Sequence, residues 1–304
     1  FVTSADTMVY NRLTPRFADI NQNTFNIDPE EIEKRISENT RLVIPVHFSG
    51  RPCNMRRIRE IAERHDLYLI EDAAHAIGSR YADGSMVGNC TYSDMTVFSF
   101  HPVKTMTTGE GGAITTNDRG LYERLLLLRS HGITKDTEKL ADNPGPWYYE
   151  MQKLGFNYRM NDMQAALGRS QLKKVDRFAK RRRELVRRYH EAFAEIPCIT
   201  IPDSSQDEQA CFHLYVLRID WDHIEKDRAA VMNELRSAGI GTQVLYIPVY
   251  RQPYYREHFS YREGDVPKAE SYYEKALAIP LYPAMSDADQ DRVIDAIKDL
   301  GANE

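Results

Sequence analysis

The chain has 304 residues, 42% of them hydrophobic, which is enough for one large domain and a smaller one. Its net charge of -5 gives no overall attraction to nucleic acid or an anionic membrane, and no apolar run approaches the ~20 residues that cross a bilayer. Cys53, Cys90, Cys198 and Cys211 are scattered without a CxxC spacing, so no metal or redox pair is expected and a reduced, cytoplasmic compartment is. The chain opens on Phe1, with no Met and no signal-peptide pattern, which predicts a segment ahead of it.

Elements alternate along the chain. Asp28-Pro-Glu-Glu opens a helix, with an N-cap followed by a proline at the first helical position. Leu42 to Phe48 is an apolar strand-like run, broken by Gly50 and Pro52. Asn54 caps a helix running to about Asp66. Leu67–Ile70, Thr96–Phe100 and Ala113–Thr116 read as strands. Asp118 to Arg129 keeps helical period through Leu121, Leu125 and Leu128. A Pro/Gly-bearing loop spans Lys135 to Tyr149. One long helix is expected from about Asn161 to Ala194, and its basic run Arg177 to Arg188, diluted by Asp176 and Glu184, reads as a solvated face. Beyond Pro197 the pattern changes: strand Phe212–Ile219, helix Lys226–Ala238, strand Thr242–Ile247, helix Pro267–Ala278, and a last helix capped by Ser286 with Asp289 and ending near Gly301.

Strands alternating with helices define an α/β fold with a largely parallel sheet between helices. Two units follow, residues 1–195, closing on the long helix, and a smaller α/β unit, 196–304. In such folds ligands sit outside the carboxyl ends of the strands, which selects His47, Asp72 and the loop carrying Lys104.

That loop reads Ser99-Phe-His-Pro-Val-Lys104, followed by Gly109-Glu-Gly-Gly112. A lysine in a partly desolvated pocket can form a Schiff base with an aldehyde, and a serine five residues earlier can hydrogen-bond a phosphate. Most loop lysines do neither, so the reading rests on company. Asp72, in Leu-Ile-Glu-Asp-Ala-Ala-His-Ala-Ile-Gly78, is placed to hold the proton of a pyridinium nitrogen and so make the ring an electron sink; a plain helix cap is the alternative. Glu71 points to the opposite face. His75 stacks on or hydrogen-bonds such a ring, or is structural. Asn157-Tyr-Arg159, ahead of a helix N-terminus, binds phosphate or merely precedes the Asn161 cap.

Taken jointly, the motifs Glu-Asp-Ala-Ala-His-Ala-Ile-Gly, Ser-Phe-His-Pro-Val-Lys, Gly-Glu-Gly-Gly-Ala, Arg-Ser-His-Gly132 and Gly-Phe-Asn-Tyr-Arg-Met-Asn resemble the sugar aminotransferases of the DegT/DnrJ/StrS family, from about Phe1 to Leu300. The resemblance implies fold type I of the pyridoxal 5'-phosphate enzymes. It implies that Lys104 binds the cofactor and shuttles the proton, Asp72 pairs with the pyridine nitrogen, His75 lies by the ring hydroxyl and Ser99 binds the phosphate. It further implies a homodimer in which Asn157 reaches the neighbouring subunit's phosphate and Arg159 sits near that shared site.

In its carboxyl half the chain is similar to aminotransferases of pseudaminic acid biosynthesis, through Tyr246-Ile-Pro-Val-Tyr250, Gln252-Pro-Tyr-Tyr255, Gly264 to Tyr273 and Ala278 to Pro283. This implies ping-pong transfer from glutamate to C4 of a UDP-linked 4-keto-6-deoxy-N-acetylhexosamine, with Tyr246 and Tyr250 as substrate residues. Two departures stand out. The family's glycine/serine/threonine phosphate turn lies upstream of Phe1, and Leu245 stands where the family often has histidine. Aminotransferases of 3-keto or perosamine-type sugars share all the cofactor motifs. The related dehydratases replace the lysine with histidine, which Lys104 argues against, and a non-catalytic cofactor-binding protein is the reading from another class.

Overall fold

The computed structural model describes residues 1–301; the last three residues of the second unit, 302–304, lie outside the described residues. Helix α1 (Thr3–Tyr10) leads to α2 (Pro29–Arg35), where Asp28 accepts the Glu30 N–H at 3.1 Å, as its sequence predicts. Strand β1 is short (Leu42–Val43) because Pro45 has no N–H to give to the ladder. Helix α3 (Met55–Arg64) is capped by Asn54 and buries Met55, Ile58, Ile61 and Ala62 on one face. That face packs on strand β2 (Tyr68–Asp72) through Leu69, in a core that also holds Ala73, Tyr81 and Phe98.

Strand β3 (Met95–Ser99) runs parallel to β2, and β1 runs parallel to β2 on its other side. Strand β4 (Gly112–Thr115) closes this four-stranded sheet antiparallel to β3, pairing Gly112 with Ser99. The sheet is therefore mixed, and Lys104 lies in the connection between its two antiparallel members. Asp72, paired with Val97, and Ser99 close neighbouring strands at the same edge of the sheet. Helix α4 (Arg119–Arg129), capped by Asp118, leads into β5 (Ile133–Thr134), which pairs with β6 (Glu150–Met151) and so closes the long loop at its base.

The long helix expected over 161–194 is two helices, α5 (Asp162–Leu172) and α6 (Val175–Phe193). No glycine or proline marks the break at Lys173–Lys174. Helix α5 begins in a full capping box, Asn161 with Gln164. The start of α6 touches the first unit, where Val175 lies against Gly78. Its later residues Leu185, Val186, Tyr189 and Phe193 lie in the core of the second. By packing, α6 belongs to both units, so the expected boundary at 195 is not where the cores divide.

The second unit is built on an antiparallel sheet of β7 (Ile199–Thr200), β8 (Tyr215–Ile219) and a later strand β9, with α7 (Arg228–Ser237), α8 (Pro253–His258), α9 (Pro267–Lys275) and α10 (Asp287–Gly301) around it. Strand β9 (Ala276–Ile279) corrects the helix expected over 267–278: four consecutive buried residues carry no period, and the run pairs with β8. Thr242–Ile247 is not a strand. Only Gln243 bridges to Ala278, and the Leu245 carbonyl accepts the Tyr272 hydroxyl at 3.1 Å instead. The basic run of α6 is not simply a solvated face either. Arg181 and Arg188 pair with Asp287 and Asp291 on α10, and the buried Arg182 donates inward to backbone carbonyls.

Candidate active site

Asp72 ends β2 with its two carboxylate oxygens separately held. Oδ1 accepts the Ala74 N–H at 3.1 Å and Oδ2 accepts the Ser4 hydroxyl at 2.7 Å. Alternation sends the preceding Glu71 to the other face, where it is fully buried. Glu71 accepts from His47 Nε2 at 2.7 Å, Tyr81 OH at 2.5 Å, Thr96 Oγ1 at 3.0 Å and the Ser93 hydroxyl. Burial works to raise the Glu71 carboxyl, but these donors hold it below the usual carboxylate range. His47 is therefore structural: its Nδ1 accepts the Cys53 N–H at 3.0 Å, which leaves the proton on Nε2 for Glu71. A buried, satisfied anion fixes one face of the strand end and Asp72 occupies the other.

Lys104 is half-buried in the β3–β4 connection. Burial lowers its ammonium from the ordinary lysine value, and the nearby Asp72 carboxylate works against the shift. The loop is anchored by the Lys104 N–H to the His101 carbonyl at 3.0 Å and the Thr108 N–H to the Phe100 carbonyl at 3.0 Å. Gly112 is required for close strand approach, since a Cβ there would stand 2.6 Å from the Phe98 carbonyl oxygen. Ser99 closes β3, and its Oγ accepts the His101 N–H at 3.4 Å.

His75 is buried beside this pair, and its ring lies 4.5 Å from that of His213. Burial drives the His75 pKa well below the ordinary imidazole range, with His213 and Lys104 adding to the effect. Burial likewise brings His213 to about 3, with Lys104 and Arg182 contributing. Both rings are neutral, and the Nδ1 of each is buried without a hydrogen-bond partner. His213 comes from the second half of the chain and escaped the sequence reading. Its one signal was register: it continues, two residues earlier, the inward series Tyr215, Leu217, Ile219. Ser4 had none. Tyr246 is half-buried close enough to Asp72 for burial first and that carboxylate second to raise its phenol.

Asp72, His75, Lys104 and Tyr246 are thus brought together at the strand ends, with Ser99 closing the neighbouring strand. Asn157 and Arg159 are exposed on the segment ahead of α5, where Asn157 bridges to Ser130. This segment lies against the Glu110 loop, with Gln164 Nε2 donating to the Glu110 carbonyl at 3.1 Å. Tyr250, the other expected substrate residue, faces into the protein. It is buried, its hydroxyl donates to Glu270, and its ring packs on Phe17 and Tyr261. The reason is local: the chain enters a 3-10 turn at Val249–Arg251 that folds Tyr250 inward.

A half-desolvated lysine, a pinned strand-end carboxylate and two neutral histidines with unsatisfied nitrogens fit a phosphorylated aldehyde with an aromatic ring nitrogen. Together with the mixed sheet between helices, they define a pyridoxal-phosphate transferase of fold type I. The chain belongs to the DegT/DnrJ/EryC1/StrS aminotransferase family, whose profile matches residues 1–298. It is 42% identical over 301 residues to the spore coat polysaccharide biosynthesis protein SpsC of Bacillus subtilis, covering 99% of this chain and 77% of that protein. Among solved structures it resembles Helicobacter pylori PseC, an aminotransferase involved in the biosynthesis of pseudoaminic acid. The TM-score is 0.90 at 29% identity, over 100% of this chain and 78% of that one. It also resembles the PLP form of the sugar aminotransferase Spr1654 of Streptococcus pneumoniae, with TM-score 0.87 at 28% identity, over 99% and 78% of the two chains. Pyridoxal phosphate is the cofactor, and the protein is a sugar aminotransferase. No helix among the described residues is long and apolar enough to cross a membrane.

Proposed function

We propose that this protein moves the amino group of glutamate to C4 of a UDP-linked 4-keto-6-deoxy-N-acetylhexosamine, releasing 2-oxoglutarate and the 4-amino sugar. The observation that carries the reading is the grouping of Lys104 and Asp72 with Tyr246, which opens the first of the stretches through which the carboxyl half resembles pseudaminic acid aminotransferases. The likeness to PseC supports the same sugar. The higher identity to SpsC favours, as second reading, another nucleotide-linked keto-sugar destined for polysaccharide.

The cofactor, when bound, supplies an electron sink that stabilises negative charge on the carbon losing its proton. The chain's residues do the rest. Lys104 Nζ would hold the aldehyde carbon and is the base placed to take and return the proton. Burial serves this role, because a lysine with lowered proton affinity is neutral for a larger fraction of the time. Asp72 keeps the ring nitrogen protonated. His75 and His213, neutral and short of partners, offer hydrogen bonds without adding positive charge beside Lys104. Ser99 binds phosphate, and Tyr246 lines the substrate side.

The working unit in this proposal is a homodimer, with Asn157 and Arg159 completing the site of the neighbouring subunit. Exposed apolar residues on the same segment support it: Leu154 is 85% and Met163 81% exposed, with Phe156 and Tyr158 stacked between them. The test of function is incubation with glutamate and a panel of UDP- and dTDP-linked keto-sugars, with the product identified by mass and NMR. A 4-amino UDP sugar is expected. Turnover of only dTDP- or 3-keto-sugars overturns the substrate assignment, and turnover of none overturns the function.

A further inference from the structure

We propose that Ser4 is a positioning residue for the Asp72 carboxylate, holding it on the cofactor's ring nitrogen and off Lys104. The inference rests on Asp72 being the partner of that nitrogen. An ionised carboxylate offers about four acceptor positions on its two oxygens. The Ala74 N–H occupies one on Oδ1 at 3.1 Å and the Ser4 hydroxyl occupies one on Oδ2 at 2.7 Å, so each oxygen keeps an acceptor for a ligand. The Ala74 contact is local, two residues along the chain, and leaves the carboxylate free to swing about it. Ser4 is 68 residues away and fixes the second oxygen.

Before the cofactor is bound, the competing partner is Lys104, whose ammonium attracts Asp72 in the half-buried site. Without an anchor on Oδ2, that attraction turns the carboxylate toward the lysine, which both misdirects the carboxylate and keeps the lysine protonated. A neutral hydroxyl donor holds the carboxylate without adding charge.

Ser4 is itself held. It lies on α1, beside the buried Ala5, and two residues on Asp6 accepts the Tyr255 hydroxyl of α8 at 2.7 Å. The helix is thus pinned by the second unit at Asp6 and grips the first at Ser4. Without the hydroxyl, Oδ2 is free to turn from the ring nitrogen, and the proton there is held less firmly.

The experiment compares wild-type holoenzyme with Ser4→Ala, Ser4→Thr and Asp72→Asn. The readouts are cofactor affinity by fluorescence quenching, the pH titration of the cofactor's visible absorbance, and single-turnover rate with glutamate. Ser4→Ala is expected to slow the single turnover about tenfold, the loss of one hydrogen bond to a charged group, with glutamate affinity little changed. Its absorbance midpoint is expected to move by about half a pH unit or more. Ser4→Thr, which keeps the hydroxyl, is expected to restore both. If Ser4→Ala does not fold, Ser4→Cys, close in size and a weaker donor, takes its place with the same losses expected. Wild-type values in Ser4→Ala overturn the proposal, as does equal impairment in Ser4→Ala and Ser4→Thr. Wild-type cofactor affinity and spectrum in Asp72→Asn overturn instead the assignment of Asp72 on which it stands.

Discussion

Lys104 and Asp72 owe their chemistry to opposite treatments of charge. The lysine is pushed toward neutrality by burial, while the carboxylate is held in place by donors on both oxygens. Lys104→Ala is expected to abolish transamination and the visible absorbance of lysine-bound cofactor; either surviving in full, followed by absorbance and coupled 2-oxoglutarate assay, removes Lys104 from its role. The histidine pair makes a second prediction. The folded His213 titrates at about 3 against an ordinary 6.5, because burial and then Lys104 and Arg182 disfavour its charge. Between those values the unfolded chain carries a proton there that the folded chain does not. Stability is therefore unaffected above 6.5 and falls as pH drops through that window, by roughly 1.4 kcal/mol per pH unit for each such group. In cofactor-free His213→Phe, the denaturant midpoint is expected to fall less steeply from pH 6 to pH 4 than in wild type; equal slopes would mean that His213 protonates in the folded protein. Lys104 and Asp72 were legible in the sequence because each follows a recognisable strand in a tight motif. His213 and Ser4 were not, since their neighbours are fixed by tertiary contact: His213 N–H reaches Ser49 across the domain boundary and Ser4 reaches Asp72.

At the scale of elements, capping chemistry was readable and helix continuity was not. Asp28, Asn54, Asp118 and Asn161 each accept the N–H that their place in the sequence predicts. The break between α5 and α6 carries no glycine or proline, and what fixes it is packing: α6 starts against Gly78 and ends in the second core. Its arginines then act as ties. Arg182, 4% exposed, donates through Nη1 to the carbonyls of Phe212 at 2.9 Å, His213 at 3.3 Å and Leu281 at 3.0 Å. The segment 211–214 is clamped from the other side, where Gly50, at φ +90°, brings its backbone so close that a Cβ would stand 2.3 Å from the Cys211 carbonyl oxygen. Arg182 therefore sets the position of His213 from one helix. Arg182→Leu leaves three buried carbonyls without this donor and is expected to cost about 3 kcal/mol of unfolding free energy. It should also weaken cofactor binding through the displaced His213. Both are checked by denaturant unfolding and fluorescence titration, and an unchanged midpoint would mean that water or Arg183 replaces the tie.

At the scale of the whole molecule the two cores meet along the strand ends, so the site draws on both halves: Asp72 and Lys104 from one, His213 and Tyr246 from the other. Asn157 and Arg159 do not join them within one protomer. They are exposed, beside apolar side chains that a lone chain would leave in water. If Asn157 serves the neighbour's site, a protomer carrying Lys104→Ala still supplies a sound Asn157, and one carrying Asn157→Ala still supplies a sound Lys104. Each homodimer of one variant is then defective at both sites. A mixed dimer has one site with both residues intact and one with neither. Subunits unfolded, mixed in equal amounts and refolded pair at random, so half the dimers are mixed, and about a quarter of wild-type activity is expected to return. If Asn157 instead acts within its own protomer, every site in the mixture lacks one residue or the other, and mixing restores nothing. Sedimentation of the same samples separates a failure to dimerise from a failure to complement.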